Sequence, residues 1–186
     1  ASKITRRTAF LSVGVAAILI ALKGWAGIAS DSVAMLSSLA DSGLDAAASL
    51  FTLAAVSYAA MPPDDEHRYG HGKAEGFASV VQAMLVGVAA TLVAIEAIGH
   101  LFEPRAIQQS SLALGVMAVS IVLTIALIWA QTRAIRQTGS VATEGDRAHY
   151  AADIAANFAV IGGSAAAALL GWPMADPLIG LAVAAW

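Results

Sequence analysis

The chain has 186 residues, 59% of them hydrophobic and 12% charged, with a net charge of −3, a mean hydropathy of +0.75 and no cysteine. Soluble domains are nearer half apolar and about a quarter charged, so the composition excludes an ordinary soluble domain and indicates an integral membrane protein. The missing cysteines exclude disulfides and thiolate metal sites; any metal must bind through oxygen and nitrogen.

At about 20 apolar residues per bilayer crossing, the chain predicts an all-α membrane bundle of five full spans and the start of a sixth. The first span covers residues 8–29, behind Lys3, Arg6 and Arg7. It is too long for a signal-peptide core, and no convincing cleavage site follows it. Lys23 lies within it and is expected to snorkel or to pair with an acid. The second span covers residues 33–61 and is stopped by Pro62-Pro63. Asp31, just outside it, suits a helix N-cap. This span carries Asp41 and Asp45.

The polar loop that follows runs Asp64-Asp65-Glu66-His67-Arg68-Tyr69-Gly70-His71-Gly72. Asp64, His67 and His71 have spacings of three and four. They read either as a solvated acidic turn or as an exposed metal site, since a tract rich in His and acids suits metal collection. Gly70 and Gly72 let the backbone turn sharply. Lys73 and Glu75 then open the third span, residues 73–102, which Glu103-Pro104 closes. Near its outer end, Glu96 and His100 lie one turn apart and read as a polar interface pair.

The fourth span is expected over residues 110–135, followed by a polar link over 136–146. The fifth, 147–170, carries His149 and Asp153 and is stopped by Gly171-Trp172-Pro173. Its Gly- and Ala-rich tract, 162–168, is a small-residue face of the kind that lets helices approach closely in lipid. The sixth span opens at Asp176-Pro177 and is incomplete at Trp186. Its residues are too few to cross a bilayer, so a longer natural chain is expected, with this part a single transmembrane domain, 1–186.

Lys and Arg set the orientation. With alternate spans, Lys3, Arg6, Arg7, Arg68, Lys73, Arg133, Arg136 and Arg147 fall on one side and Arg105 alone on the other. The N-terminus and the two polar loops are therefore expected in the cytoplasm.

Asp41 with Asp45, and His149 with Asp153, each have i,i+4 spacing, which puts both side chains on one helix face. Taken singly, each has another reading: a protonated Asp bonded to Ser37, Ser38 or Ser42, or a His serving as an interhelical donor. Ionised groups at mid-depth cost several kcal/mol, roughly, when unpaired. Four together read as one divalent cation site of three carboxylates and an imidazole. Zinc accepts such a set in four-coordination, and other first-row divalents tolerate it. With His149 neutral the set carries −3, and a departing metal should be replaced by protons, because adjacent carboxylates cannot all stay ionised in a low dielectric. An imidazole titrates ordinarily near pH ~6.5, which makes His149 the natural acceptor. Competition of metal and protons for one site is the physical core of a metal/proton antiporter.

DSGLD at residues 41–45, PPDDEHRYGHGKAE at 62–75 and HYAAD at 149–153 together resemble the cation diffusion facilitator family, over essentially the whole chain. The match is closest to bacterial zinc/iron efflux members. The resemblance implies a homodimer of six-helix protomers with a C-terminal cytoplasmic domain, here absent, that exports divalent metal for protons by alternating access in the bacterial inner membrane. It implies a transport site at Asp41, Asp45, His149 and Asp153, and a loop site at Asp64, His67 and His71. It also places Lys73 in a charge cluster tying the membrane part to the cytoplasmic domain. Zn2+ is the expected ion and Fe2+ the second, with Cd2+, Co2+ and Mn2+ also admitted; no nucleic-acid partner is implied. The alternative is a non-transporting metal-binding or regulatory membrane subunit. An intramembrane metalloenzyme would need an open metal position and a base, as in HExxH, which does not occur here. A passive channel would need weaker sites.

Overall fold

The computed structural model describes residues 2–30, 33–102, 111–170 and 175–185. The expectations placed on Asp31, Glu103, Pro104, Arg105 and residues 171–173 lie outside the described residues, as do the side chains of Glu96 and His100 and of residues 163–168. The regular elements among the described residues are all helices: α1 (Ser2–Ser30), α2 (Val33–Ala59), α3 (Lys73–Phe102), α4 (Ser111–Thr138), α5 (Val141–Leu170) and α6 (Ala175–Ala185). Four stretches among them are long and apolar enough to cross a membrane: Lys3–Ala29, Ser38–Ala59, Lys73–Gly99 and Gly115–Thr138. The chain is an all-helical membrane protein.

Two boundaries differ from the sequence expectation. Helix α1 begins at Ser2, not at residue 8. Its first turns are polar, but Thr5, Thr8 and Ser12 are buried on one face. Thr8 Oγ1 donates to the Ile4 carbonyl (3.1 Å) and Ser12 Oγ to the Thr8 carbonyl (3.3 Å), so these hydroxyls are satisfied by the helix itself.

The second difference is larger. The expected polar link over residues 136–146 is helix at both ends, and only Gly139 and Ser140 connect α4 to α5. Gly139 takes the left-handed conformation (φ +66°) and its N–H bonds the Ile135 carbonyl at 2.8 Å, ending α4. Ser140 then caps α5: its Oγ accepts from the Thr143 N–H (3.3 Å) and its carbonyl from the Glu144 N–H (3.1 Å). Glu144 adds an acid in the first turn, where the helix dipole favours one.

The chain divides into two compact units, Ala1–Gln82 with Gln109–Ala148, and Ala83–Gln108 with His149–Trp186. In the first, α1 packs against α2 and α4. Ala26 and Val116 join α1 to α4, and Val56, Ala78 and Ala142 join α2, α3 and the start of α5. Apart from Leu19 and Leu127, the interior is otherwise mostly small or polar: Ala9, Ala16, Ala48, Ser42, Ser49, Thr52, Gln82, Ser120, Thr124 and Gln131 are all buried. Large apolar side chains point outward instead, among them Phe10, Leu11, Trp25, Phe77, Val122 and Trp129. This inverts the soluble pattern and suits lipid, where association relies on close packing and interhelical hydrogen bonds. In the second unit α6 approaches α3 closely: a Cβ at Gly180 would lie 3.2 Å from that of Ala97.

Gly145 marks the tightest described approach in the first unit. A Cβ there would sit 3.1 Å from the Gln82 Cβ and 3.2 Å from the Ser79 Cα, so backbone must give. Gly145→Val is expected to destabilise the protein by about 1–3 kcal/mol through overpacking. Gly14→Val, where a Cβ meets nothing within 4 Å, should leave stability nearly unchanged. Thermal denaturation in detergent compares the two.

Candidate metal centres

The loop between α2 and α3 carries the most completely described cluster. Asp64, His67 and His71 each offer a ligand atom, and these atoms lie within 4.8 Å of one another. An Asx turn builds the cluster. Asp64 Oδ1 accepts the backbone N–H of His67 (2.6 Å) and of Glu66 (3.1 Å), which folds the chain back so that His67 Nδ1 comes within 3.1 Å of the same oxygen. The Gly70 N–H then bonds the His67 carbonyl (2.9 Å), and Gly70 itself sits at φ +80°, a conformation that favours glycine. That turn delivers His71 Nε2 to 3.3 Å from Asp64 Oδ2.

His71 is buried whereas Asp64 and His67 are exposed. Its ring stacks edge-to-face on Tyr58 (centroids 4.5 Å, 77°) and lies 4.5 Å from the His67 ring. Tyr58 on α2 is thus the wall against which both imidazoles are placed. Two imidazoles and a carboxylate form an all-N/O donor set of the kind that zinc and other first-row divalents accept.

The hydrogen bond from the His67 backbone holds the Asp64 carboxyl below its ordinary value of 3.8; the His67 ring and the charge of both histidines act the same way, partly opposed by desolvation. Asp64 is therefore an ionised acceptor throughout the neutral range.

Of the four residues paired at i,i+4 in the sequence, Asp41 and Asp45 lie on α2 in the first unit, the former exposed and the latter half-buried, with buried Ser42 between them. His149 and Asp153 lie on α5 in the second unit, where His149 Nε2 is 3.7 Å from Asp153 Oδ2. The imidazole is buried (8% exposed) and the carboxylate partly so (31%). The structure thus brings together the His149–Asp153 pair and the three loop residues. Lys23, expected to snorkel or pair, reaches α2: its Nζ donates to Ser42 Oγ (2.7 Å) and to the Ser38 carbonyl (3.3 Å). Glu75, on the first turn of α3, accepts from Ser140 Oγ at 2.6 Å.

Sequence reasoning missed Asp146, which it assigned to the polar link. Asp146 is 1% exposed. Its Oδ1 accepts from Ser49 Oγ on α2 (3.2 Å) and Gln82 Nε2 on α3 (3.2 Å), and its Oδ2 from Gln131 Nε2 on α4 (2.8 Å). Gln131 Nε2 also donates to Ser12 Oγ on α1 (3.1 Å), and Gln82 Nε2 to Thr52 Oγ1 (2.9 Å). Both glutamines leave Oε1 buried without a hydrogen-bond partner among the described residues. Each such atom costs about 1–3 kcal/mol, and bonds to a charged acceptor contribute about 1.5–3 kcal/mol each. The carboxamides therefore turn their donors inward, and the carboxylate decides which way they face. The signal was present: the Gly139-Ser140 pair with Glu144 reads as a helix stop and start, which puts Asp146 inside α5.

The comparisons agree with an apolar helical frame. Over residues 9–186 the sequence matches the cation efflux transmembrane domain family. The chain belongs to the cation diffusion facilitator family. Among its relatives in that family is the cation-efflux pump FieF of Shewanella oneidensis, 38% identical over 175 residues, which cover 94% of this chain and 59% of that protein. The cation-efflux pump FieF of Klebsiella pneumoniae is 34% identical over 181 residues, covering 97% and 60%. That of Salmonella newport is 33% identical over the same length. The chain spans about three fifths of the length of these curated relatives.

The Asp64 turn gives a pH prediction. A carboxyl whose native value lies below its unfolded one contributes stability that is fully present above the unfolded value, and that contribution is lost as pH falls through the native one. The protection factor of the His67 amide against hydrogen exchange is therefore expected to hold from about pH 7 down to about pH 5, and to drop at both in Asp64→Ala.

Proposed function

We propose that this chain exports a divalent metal cation from the bacterial cytoplasm in exchange for protons, as the membrane part of a secondary active transporter. Three things support the reading: membership of the cation diffusion facilitator family, relatives named as cation-efflux pumps, and two clusters of N/O ligands on a chain without thiols. The observation that carries it is the His149–Asp153 pair, an imidazole and a carboxylate 3.7 Å apart within a long helix of a membrane protein.

In this reading Asp41 and Asp45 complete the centre from α2. The metal relieves most of the repulsion among three carboxylates, and protons take its place when it leaves. Alternating access then presents one site to each side of the membrane in turn, loaded with metal on the cytoplasmic side and with protons on the other. Asp64, His67 and His71 collect metal at the cytoplasmic mouth. Zn2+ is the favoured cargo, because it suits four N/O ligands; Fe2+ comes second, and the carboxylate-rich set also admits Cd2+, Co2+ and Mn2+. The working form is a homodimer of six-helix protomers in the inner membrane, with the N-terminus in the cytoplasm.

Reconstituted full-length protein tests the reading. Asp45→Ala and His149→Ala are expected to abolish Zn2+ flux into proteoliposomes while eluting as folded protein in detergent; flux at the parent rate would overturn the site. Calorimetry separates the two centres. Zn2+ binding to the parent should weaken from about pH 8 to about pH 6, because protons compete for the ligands. The Asp41→Ala/Asp45→Ala double variant should keep only the binding that Asp64→Ala removes.

A further inference from the structure

The geometry points to Asp146 and Ser49 as positioning residues for the intramembrane metal centre: their hydrogen bond ties α2 to α5 one turn away from the ligands on each helix. The inference rests on the transport-site reading above and adds two residues to it.

Ser49 lies four residues after Asp45 on α2, and Asp146 three residues before His149 on α5. At about 1.5 Å of rise per residue, the bond between Ser49 Oγ and Asp146 Oδ1 sits about 6 Å along α2 from one ligand and about 4.5 Å along α5 from the other. Both partners are buried, Ser49 at 0% and Asp146 at 1% exposure. A metal centre shared between two helices depends on their relative height and rotation. The Ser49–Asp146 bond holds the start of α5, up to the residue before His149, at a set height and rotation against α2.

A carboxylate suits this role because it is acceptor-only, with two oxygens and about four lone-pair sites. One side chain at position 146 takes donors from α2, α3 and α4 together, and Gln131 passes the connection on to Ser12 of α1. Gly145, beside it, has no side chain to hold α3 off. The anchor is therefore built into α5 immediately before the helix becomes a ligand carrier. Outer partners of this kind orient ligands without touching the metal, and their loss typically costs 10–100-fold in affinity.

Ser49→Ala tests the tie with little risk to folding, since it deletes one oxygen and leaves the Gln82 and Gln131 bonds to Asp146 in place. The assay uses the full-length protein carrying Asp64→Ala, so that Zn2+ calorimetry reads the intramembrane centre alone, together with Zn2+ flux and thermal denaturation. Ser49→Ala is expected to weaken Zn2+ binding about ten-fold and to raise the KM for Zn2+ by a similar factor, with kcat changed less than about two-fold and an unaltered thermal midpoint. Asp146→Asn, which keeps the shape and loses the charge, should weaken binding at least as much. In a chain with an intact loop, Zn2+ affinity at Asp64, His67 and His71 should not change. Parent affinity in both variants overturns the inference. So does a loss at both centres that follows a falling thermal midpoint, which would make the bond packing only. His149→Ala serves as the control: if it leaves flux intact, the transport-site reading itself fails, whatever Ser49→Ala does.

Discussion

Hydrocarbon offers no hydrogen bonds, and that constraint organises this molecule. Every backbone amide must find its partner within the chain, which leaves helices as the available element. Side-chain hydroxyls meet the same demand locally: Thr8, Ser12, Thr91, Ser120, Thr124 and Thr132 each donate to the carbonyl four residues earlier. With those groups silent, other polar side chains of the first unit make contacts between helices, and Ser49, Gln82 and Gln131 converge on one carboxylate at position 146.

The two candidate centres solve opposite problems with similar ligands. The loop cluster lies among exposed residues, and its geometry comes from backbone turns, an Asx turn at Asp64 and a left-handed glycine at position 70. On the proposed reading, its exposure would let an ion exchange readily with solvent. The α5 pair sits on a rigid helix with its imidazole buried, where an unbalanced charge is costly and ligand spacing is set by helical pitch. On the proposed reading, a site of the second kind would change its charge state on losing an ion, as exchange of metal for protons requires.

Much of the helical frame was legible because apolar runs, Pro62-Pro63 and the Asp64–Gly72 tract are strong local signals. The loop cluster was legible for the same reason: spacings of three and four bring its residues together through a single turn. The start of α5 was not. Hydropathy treats residues 136–146 as polar and therefore outside the membrane helices, yet Gly139, Ser140 and Glu144 are ordinary stop and start signals. Asp146 was hidden by the same bias. Its role depends on Ser49, Gln82 and Gln131, which lie 97, 64 and 15 residues away in the chain and leave no periodic trace.

The connection between α4 and α5 is only two residues long, with a cap on each side. Such a turn has no slack. The start of α5, residues 141–148, is therefore held to α4 as one arm of a stiff hairpin. The thirteen-residue stretch between Ala59 and Lys73, held mainly by turns, has the compliance the shorter connection lacks. Mechanically, these two described connections act as a clamp and a spring, and the loop histidines ride on the spring.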